Sequence, residues 1–329
     1  METVLLARSD VSEHARMAEL IPAIEAAFGA YERGEAFMPA KSYIELDRYN
    51  GDFRSMPAYV DTGEWDAAGV KWVNVHPDNV DEHGLPTVMG LMVYSDPETA
   101  LPLAVMDGTE LTRLRTGAAA AVATEYLSVP DASSLGLVGA GAQSVTQVEA
   151  IATVRPIERI VASDQDEAAL SRFEERVGDR FDVQRGSISQ AAACDILCTV
   201  TPVRDPIVPA DAVGSQTHIN AIGADAPGKQ ELDPEILSTA TVVIDDYDQC
   251  THSGEINVPW ADGTLTHADI HGTLGEVICG DKPGRGTSTG VTVFDSTGLA
   301  IQDVAAARAI YERATAEAAG SAFDFLQLE

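Results

Sequence analysis

Short apolar runs alternate with helix-forming segments from residue 134 onward. Strands are predicted at 135–138, 158–163, 181–184, 195–200, 217–222, 241–244 and 290–294, and helices at 142–153 and 166–177. Continuous apolar runs of strand length that are separated by helices are typical of a parallel sheet covered on both faces. The pattern therefore predicts an α/β domain with a doubly wound parallel sheet of the Rossmann type.

The region before residue 107 has a different pattern, in which one helix precedes a group of strands. Residues 9–33 are predicted to form a single helix that Ser9 or Asp10 caps. Strands are predicted at 52–59, 68–75, 87–94 and 101–106. Because the helix and the strands are segregated along the chain, this region is predicted to be an α+β domain.

Two long helices are expected to connect these regions. The alanine-rich segment 109–127 is expected to pass between the domains, and 300–317 to return to the first one. A chain of 329 residues is also long enough for two domains. We therefore expect a first domain formed by 1–115 together with 300–329, and a second domain formed by 116–299.

A glycine-rich segment directly after the strand at 135–138 carries the most informative single motif. Gly139 permits a tight turn from strand to helix, and Gly141 lets the backbone approach a pyrophosphate at the helix N-terminus. Ser144 replaces the usual third glycine, which makes the pattern less specific. Asp164 ends the next predicted strand, at the distance expected of an acid that binds the adenosine ribose. These features favour a dinucleotide site, and an ordinary glycine-rich turn is the alternative.

The charge of the chain argues against several classes of partner. The net charge is −31, from 52 acidic and 21 basic residues, so the basic footprint that binds nucleic acids or anionic membranes is missing. Only four of the bases are lysines. An acidic, lysine-poor surface around a normal core is typical of a cytoplasmic protein from an organism with high internal salt. An acidic enzyme from an ordinary organism is the alternative.

We expect a cytoplasmic location and no metal. The first residues lack the basic start and long apolar stretch of a signal peptide, and no apolar run reaches the length of a membrane span. The four cysteines are scattered, and Cys194 and Cys198 are predicted to be core residues of a strand.

Polar residues follow several predicted strands of the second domain. Thr201, Asp225 and Ser296 each follow such a strand, and the carboxyl ends of parallel strands meet at one edge of the sheet. Asp225, which lies close to Gly223, is a candidate general base if burial tunes its pKa. The alternative is that it caps a turn before Pro227.

Cations in the first domain stand out against the acidic background. Lys71 lies inside an apolar strand, where an unpaired ammonium group is costly, so it needs an anionic partner or a role that depends on its pKa. Lys41, Arg54 and Arg115 lie in or near predicted strands and helices. Together these cations fit a small carboxylate substrate, because arginine binds a carboxylate through paired hydrogen bonds. The alternative is that they simply pair with the many acids.

Six segments of the sequence together resemble the ornithine cyclodeaminase/mu-crystallin family. They are 71–77 (KWVNVHP), 84–88 (GLPTV), 111–118 (LTRLRTGA), 139–144 (GAGAQS), 223–232 (GADAPGKQEL) and 291–298 (VTVFDSTG). The segments occur in the family's order across nearly the whole chain. They are specific for the family but not for a substrate within it.

The resemblance implies a homodimer built through the first domain, with NAD as cofactor. It implies that Lys71 and Arg115 hold the substrate carboxylate or polarise the reacting bond, that Asp225 handles protons or the activated water, and that Thr297 lies near the substrate. The residues implied to touch the cofactor are Thr87, Arg115, Thr116, Gly139, Gly141, Ala142, Gln143, Asp164, Thr201, Gly223, Lys229 and Ser296. Asp164 favours NAD over NADP, because a carboxylate repels the ribose phosphate.

Two positions depart from the cyclodeaminase pattern. Lys41 stands where cyclodeaminases usually carry an arginine, and Arg54 stands where they carry an acid for the far amine of ornithine. A cation at position 54 would repel a second ammonium group. These departures resemble the archaeal alanine dehydrogenase branch, in which a lysine and an arginine bind the substrate. The expected reaction is therefore reversible oxidative deamination of a small L-amino acid, with alanine favoured.

Three alternatives stay open at this point. The first is ornithine cyclodeamination to proline and ammonia, and the second is reduction of a ketimine or imine. The third belongs to another class, a nicotinamide-binding protein without turnover.

Overall fold

The computed structural model describes residues 2–286 and 289–327. The strands are β1 (Thr3–Leu6), β2 (Ala36–Phe37), β3 (Ser42–Leu46), β4 (Gly51–Asp61), β5 (Asp66–Val75), β6 (Val88–Ser95), β7 (Pro102–Asp107), β8 (Ser134–Val138), β9 (Arg159–Ser163), β10 (Asp182–Arg185), β11 (Ile196–Thr199), β12 (His218–Ala221), β13 (Thr241–Ile244), β14 (Ile270–Thr273), β15 (Thr292–Asp295) and β16 (Ser321–Phe323). The helices are α1 (Arg8–His14), α2 (Met17–Glu32), α3 (Asn79–His83), α4 (Gly108–Leu127), α5 (Ser144–Val154), α6 (Glu167–Val177), α7 (Ile188–Ala192), α8 (Pro234–Thr239), α9 (Tyr247–Ser253), α10 (Asn257–Ala261), α11 (Leu274–Cys279) and α12 (Ala300–Ala316). Within these described stretches, no helix combines the length and apolarity that crossing a membrane requires.

Two compact units make up the chain. One is formed by Met1–Arg115 with Leu299–Glu329, and the other by Thr116–Gly298. Helix α4 therefore begins in the first unit and ends in the second.

The first unit is an α+β structure built on one mixed sheet. Its strand order is β16-β1-β7-β6-β5-β4-β2, and β3 pairs with β4. The pairs are antiparallel except for β1 and β7, which are parallel. Along β5 the side chains alternate, so Lys71 and Val73 are buried while Trp72 is 42% exposed. Helix α12 packs against β4, β5 and β6 and covers their buried face.

The N-terminal helix is divided, contrary to the single helix predicted from the sequence. Helix α1 ends at His14, because the backbone is extended at Ala15. The buried His14 ring lies 2.7 Å from the Asp10 carbonyl oxygen, which satisfies one acceptor of the last turn. Neither Ser9 nor Asp10 is the N-cap. The cap is Ala7, whose N–H donates to the Asp10 carboxylate at 2.8 Å.

Several short strands of the first unit were not predicted. In β3 and β16 the side chains on both faces are mostly exposed, so no alternation of apolar and polar positions marks them. Strand β1 has only four residues. Strand β3 matters for the candidate site, because it begins directly after Lys41.

The second unit contains a sheet in which every strand pair is parallel. The order is β10-β9-β8-β11-β12-β15-β13-β14. Alternate residues of its strands belong to two apolar clusters, one on each face. The predicted doubly wound, Rossmann-type sheet is thereby confirmed. The chain order reverses between β8 and β11, and sheets of this kind bind ligands at the carboxyl ends of the strands beside such a reversal.

Candidate functional site

The glycine-rich turn after β8 has the geometry of a phosphate cradle. Gly139 has φ +101°, and a Cβ there would lie 3.0 Å from Cγ2 of Thr201. Both the left-handed backbone conformation and the lack of space therefore disfavour a side chain at this position. A Cβ at Gly141 would meet no atom within 4 Å. Ser144, at the position of the usual third glycine, donates its hydroxyl to the Gly141 carbonyl at 2.7 Å and begins α5. An open backbone at a helix N-terminus fits a pyrophosphate.

Asp164 lies beside this turn. One carboxylate oxygen accepts the Ala140 N–H at 2.6 Å, and the other accepts the Asp166 N–H at 2.8 Å. The acid therefore ties the loop after β9 to the glycine-rich turn. Each carboxylate oxygen has a second lone pair, which suits the hydroxyl groups of a ribose.

A buried glutamate, Glu231, joins the loops after β11 and β12. One oxygen accepts both the N–H and the hydroxyl of Thr201 at 2.7 Å, and the other accepts the N–H of Gly223 at 2.9 Å. A Cβ at Gly223 would lie 2.5 Å from this carboxylate, so the contact requires glycine. Glu231 was not predicted as a site residue, although it lies within the 223–232 motif.

Asp245 has the same role at the end of β15. One of its oxygens accepts the Ser296 hydroxyl at 2.9 Å and the N–H groups of Thr297 and Gly298 at 2.8 and 2.9 Å. Ser296 and Thr297, both predicted site residues, are thus fixed by an acid that sequence analysis did not single out.

Two further buried acids, Glu255 and Asp295, hold the backbone next to these loops. Glu255 accepts the N–H of Glu231 at 2.8 Å, and Asp295 accepts the N–H of Glu255 at 2.8 Å. Burial raises the pKa of Asp295 to about 7 and raises that of Glu255 well above its usual value. Burial also raises the pKa of Glu231.

Asp225 lies in the loop after β12 and is paired with a cation. The Lys229 ammonium group donates to its carboxylate at 2.6 Å, and the Asp225 side chain is 41% exposed. Both residues were predicted site residues, and the structure brings them together within the second unit. The carboxylate is partly exposed here, whereas the sequence argument for a general base relied on burial.

The first unit contains a buried cluster centred on an acid that sequence analysis missed, Asp303 of α12. Lys71 Nζ donates to one of its oxygens at 2.8 Å and lies 2.7 Å from the other. Arg115 Nε donates at 3.0 Å to the same oxygen that accepts from Lys71, and Arg115 Nη1 donates to the Gln302 side-chain oxygen at 2.8 Å. A local signal was present, because Gln302 and Asp303 interrupt an otherwise apolar run in a predicted helix.

The environment of Lys71 favours exchange of a proton near neutral pH. The residue is 1% exposed, and this burial lowers the pKa of Lys71 from 10.5 to about 7. The Asp303 carboxylate opposes that shift, whereas the positive charges of Arg115 and Lys41 add to it. An amine with such a pKa is suited to proton transfer or to polarising a carbonyl.

Arg54 lies on the same face of the sheet as Lys71. Met56 is opposite Lys71 in the register of β4 and β5, and Arg54 occupies the next position of β4 on that face. The Arg54 guanidinium donates to both oxygens of Asp52 at 2.9–3.2 Å and stacks over the Tyr43 ring. Arg54 is therefore paired with an acid, which was one of the alternatives that the sequence left open. That acid, Asp52, lies two residues away on the same strand.

The predicted site residues are distributed over both units. Lys41, Arg54, Lys71 and Arg115 belong to the first, where Thr87 directly precedes β6 and its carbonyl accepts the His76 N–H at 2.8 Å. Thr116 on α4, Asp225, Thr297 and the predicted cofactor residues from Gly139 onward belong to the second. The substrate cations thus cluster in one unit, and the dinucleotide features cluster in the other.

Comparisons with known proteins give a consistent result. A model of the ornithine cyclodeaminase/mu-crystallin family matches residues 1–318. An alanine dehydrogenase of Archaeoglobus fulgidus is 47% identical over 329 residues, which is 100% of both chains.

Two solved structures share the whole fold. One is an archaeal alanine dehydrogenase dimer with bound NAD, with a TM-score of 0.94, 47% identity and coverage of 99% of this chain and 100% of that one. The other is a Thermococcus litoralis Δ1-pyrroline-2-carboxylate reductase in complex with NADH and L-proline. It has a TM-score of 0.92, 34% identity and coverage of 97% and 99%.

Proposed function

Because this chain belongs to the ornithine cyclodeaminase/mu-crystallin family, we propose that it is an NAD-dependent oxidoreductase that interconverts a small L-amino acid and its 2-keto acid plus ammonia. Alanine is the favoured substrate. Two observations support this: the full-length similarity to an alanine dehydrogenase, and the buried cation cluster of the first unit.

Residues 139–143 and Asp164 would hold the dinucleotide. The open position at Gly141, at the N-terminus of α5, fits the pyrophosphate, and the Asp164 carboxylate fits the ribose. Thr201, Gly223 and Ser296, which buried acids hold in place, would complete the site. NAD held there would supply the hydride acceptor for the α-carbon of the amino acid, and NADH the hydride donor for the reverse reaction.

The position of Arg54 is the single observation that carries the substrate assignment. It shares a sheet face with Lys71, so a substrate carboxylate held there meets cations, and a second ammonium group is repelled. Asp52 is an acid on the same face, but its charge is paired with that of Arg54 at 2.9 Å, which weakens its attraction for the far amine of ornithine. A small monoamino acid therefore fits better than ornithine.

The chain's own residues divide the remaining work. Lys41, Arg54 and Arg115 would bind the carboxylate, and the Lys71 ammonium group would polarise the carbonyl or imine. Asp225, held by Lys229 at 2.6 Å, would relay protons to water.

A homodimer is part of the proposal. The face of the first unit's sheet opposite Lys71 exposes Ile44, Trp72 and Leu91, and Phe53 stacks on Trp72 at 5.2 Å. Apolar patches of this kind mark interfaces, and the similar archaeal structure is a dimer. Light scattering should give twice the mass of 34.8 kDa. A monomer at micromolar concentration would contradict the assembly.

The decisive experiment is NADH oxidation with pyruvate and ammonium in concentrated KCl, since screening is expected to matter at a net charge of −31. Proline formation from ornithine and NAD is measured beside it. Turnover of pyruvate without proline formation supports the proposal, and proline formation overturns it.

A cyclic-imine reductase is the second candidate. It is favoured by the 34% identity to the Thermococcus litoralis reductase, whose complex holds L-proline. The same cations would bind the carboxylate of a cyclic imine. NADH oxidation with Δ1-pyrroline-2-carboxylate in the absence of ammonium, faster than with pyruvate plus ammonium, would establish this reading.

A further inference from the structure

Asp303 is a fully buried carboxylate at a position where an apolar residue would serve the packing of the core equally well. Its neighbours in the first two turns of α12 are almost all apolar and buried. A buried acid is costly unless it is paired, and buried ion pairs are commonly replaceable by apolar residues without loss of stability. A role beyond packing is therefore needed to explain it.

The geometry around Asp303 is specific. Both of its oxygens lie within 2.8 Å of Lys71 Nζ, and the oxygen that accepts from Lys71 also accepts from Arg115 Nε at 3.0 Å. One carboxylate on α12 thus fixes an ammonium group from β5 and a guanidinium group from α4. All three residues belong to the first unit.

We propose that Asp303 is a positioning residue, which holds Lys71 and Arg115 in one fixed arrangement and keeps Lys71 protonated for polarising the substrate. This inference rests on the proposed function, in which Lys71 acts on the carbonyl or imine. Two donors that are held before the substrate arrives need no reorganisation during the reaction.

The other groups that face Lys71 explain why an acid is needed. Arg115 from α4 and Lys41 from the segment before β3 both disfavour the charged amine, as does burial. From β4 come Arg54 and Asp52, which pair with each other, and β6 contributes the neutral Met92. Asp303 on α12 is the carboxylate in direct contact with the ammonium group.

The composition of the chain allows a direct test that needs no substrate. The sequence has four lysines, Lys41, Lys71, Lys229 and Lys282, so protein labelled with 13C at lysine Cε gives four side-chain signals. Loss of each signal in the corresponding arginine variant assigns it. In Asp303→Asn we expect the Lys71 signal to titrate at least one pH unit lower than in the unaltered chain. An unchanged or higher titration midpoint would overturn the proposal.

Kinetics provide the second readout. In Asp303→Asn we expect kcat for reductive amination to fall by about 100-fold, while the Kd for NADH stays within threefold. The alkaline fall of kcat/KM should move to lower pH, and Asp303→Glu should restore much of its position. Loss of kcat with an unmoved pH profile would indicate a structural role and overturn the proposal.

Glu110→Gln is the matched control. Glu110 is also a buried carboxylate of the first unit, but it pairs with Arg113 and Arg8 rather than with Lys71. In Glu110→Gln we expect the Lys71 signal to titrate with the same midpoint as in the unaltered chain. If Asp303→Asn does not fold, Asp303→Ala takes its place. A Lys71 titration midpoint below that of the Glu110→Gln control supports the proposal, and an equal midpoint overturns it.

The two proposals fail differently. If no keto acid or imine is turned over by the unaltered chain, the proposed function fails, whereas the Lys71 titration still tests Asp303. If turnover is normal and Asp303→Asn moves neither the titration nor the pH profile, only the positioning role fails.

Discussion

The two units of this chain bury carboxylates in opposite ways. In the first unit, Asp303 is paired with the cations of Lys71 and Arg115. In the second, Glu231 and Asp245 accept hydrogen bonds from backbone N–H groups and hydroxyls of the loops at the strand ends. Buried carboxylates thus hold charged side chains in the first unit and backbone N–H groups in the second.

The difference follows from what each unit would bind. A substrate carboxylate needs cations, and buried cations need a counter-charge that does not move. A dinucleotide needs backbone groups and small residues at fixed places, and a buried carboxylate can hold several N–H groups at once.

The largest effect is expected from Lys71→Met. We expect kcat/KM for pyruvate and ammonium to fall by at least about 1,000-fold, because the group that polarises the carbonyl is lost. The chain should still fold, since Asp303 keeps Arg115 as a partner. Steady-state kinetics and urea unfolding measure both effects. Lys282→Met, which changes a lysine outside the candidate site, serves as control, and a loss below tenfold in Lys71→Met would contradict the assignment.

The backbone-paired acids should make stability depend on pH. Burial raises the pKa of Asp295 from 3.8 to about 7, so between about pH 4 and 7 the folded chain binds protons that the unfolded chain has released. Asp295 therefore lowers the free energy of unfolding by about 2–4 kcal/mol as pH rises through that window. The buried His218 has the opposite effect between about pH 3 and 6.5, because burial lowers its pKa from 6.5 to about 3. Lys71 also acts oppositely to Asp295. Its pKa is lowered to about 7, so it adds stability as pH rises from about 7 to 10.5.

Urea unfolding of the unaltered chain and of Asp295→Asn at fixed KCl isolates the contribution of this acid, because the opposite contribution of His218 is common to both chains. The stability of the unaltered chain relative to Asp295→Asn should fall as pH rises from 5 to 7, and the rise above pH 7 that Lys71 causes should be the same in both chains. A difference between the two chains that does not fall from pH 5 to 7 would show that Asp295 does not carry a raised pKa.

Glu231→Gln tests whether the backbone-paired acids serve the cofactor. An amide would place an NH2 group against the N–H of Thr201 or Gly223, which costs about 1–3 kcal/mol at that contact. We expect the Kd for NADH to rise about 30-fold, as measured by fluorescence titration. Glu235→Gln, an exposed change on α8, is the control. An unchanged Kd would mean that these loops need no acid to bind the nucleotide.

The sequence was sufficient for features that depend on near neighbours. The alternation of apolar runs and helices predicted the doubly wound sheet, and an ammonium group in an apolar strand marked Lys71 as needing a partner. That partner, Asp303, lies 232 residues away along the chain. With 52 acids available, no local pattern identifies which of them pairs with Lys71. The division of the first helix, where the backbone is extended at Ala15, was likewise not marked by a glycine or proline at that point of the sequence.

Asp164 is the acid that was predicted from the sequence and is also paired with backbone, so its substitution sharpens the comparison. Asp164→Ser removes a charged acceptor for the ribose and its hydrogen bond to the Ala140 N–H. We expect the Kd for NADH to rise about tenfold and that for NADPH to fall, because the repulsion of the ribose phosphate is lost. Asp166→Ala, two residues further on, removes an acid that caps α6, and it should leave both affinities unchanged. If Asp164→Ser weakens both nucleotides equally, the acid acts only by holding the turn, as Glu231 holds its loops.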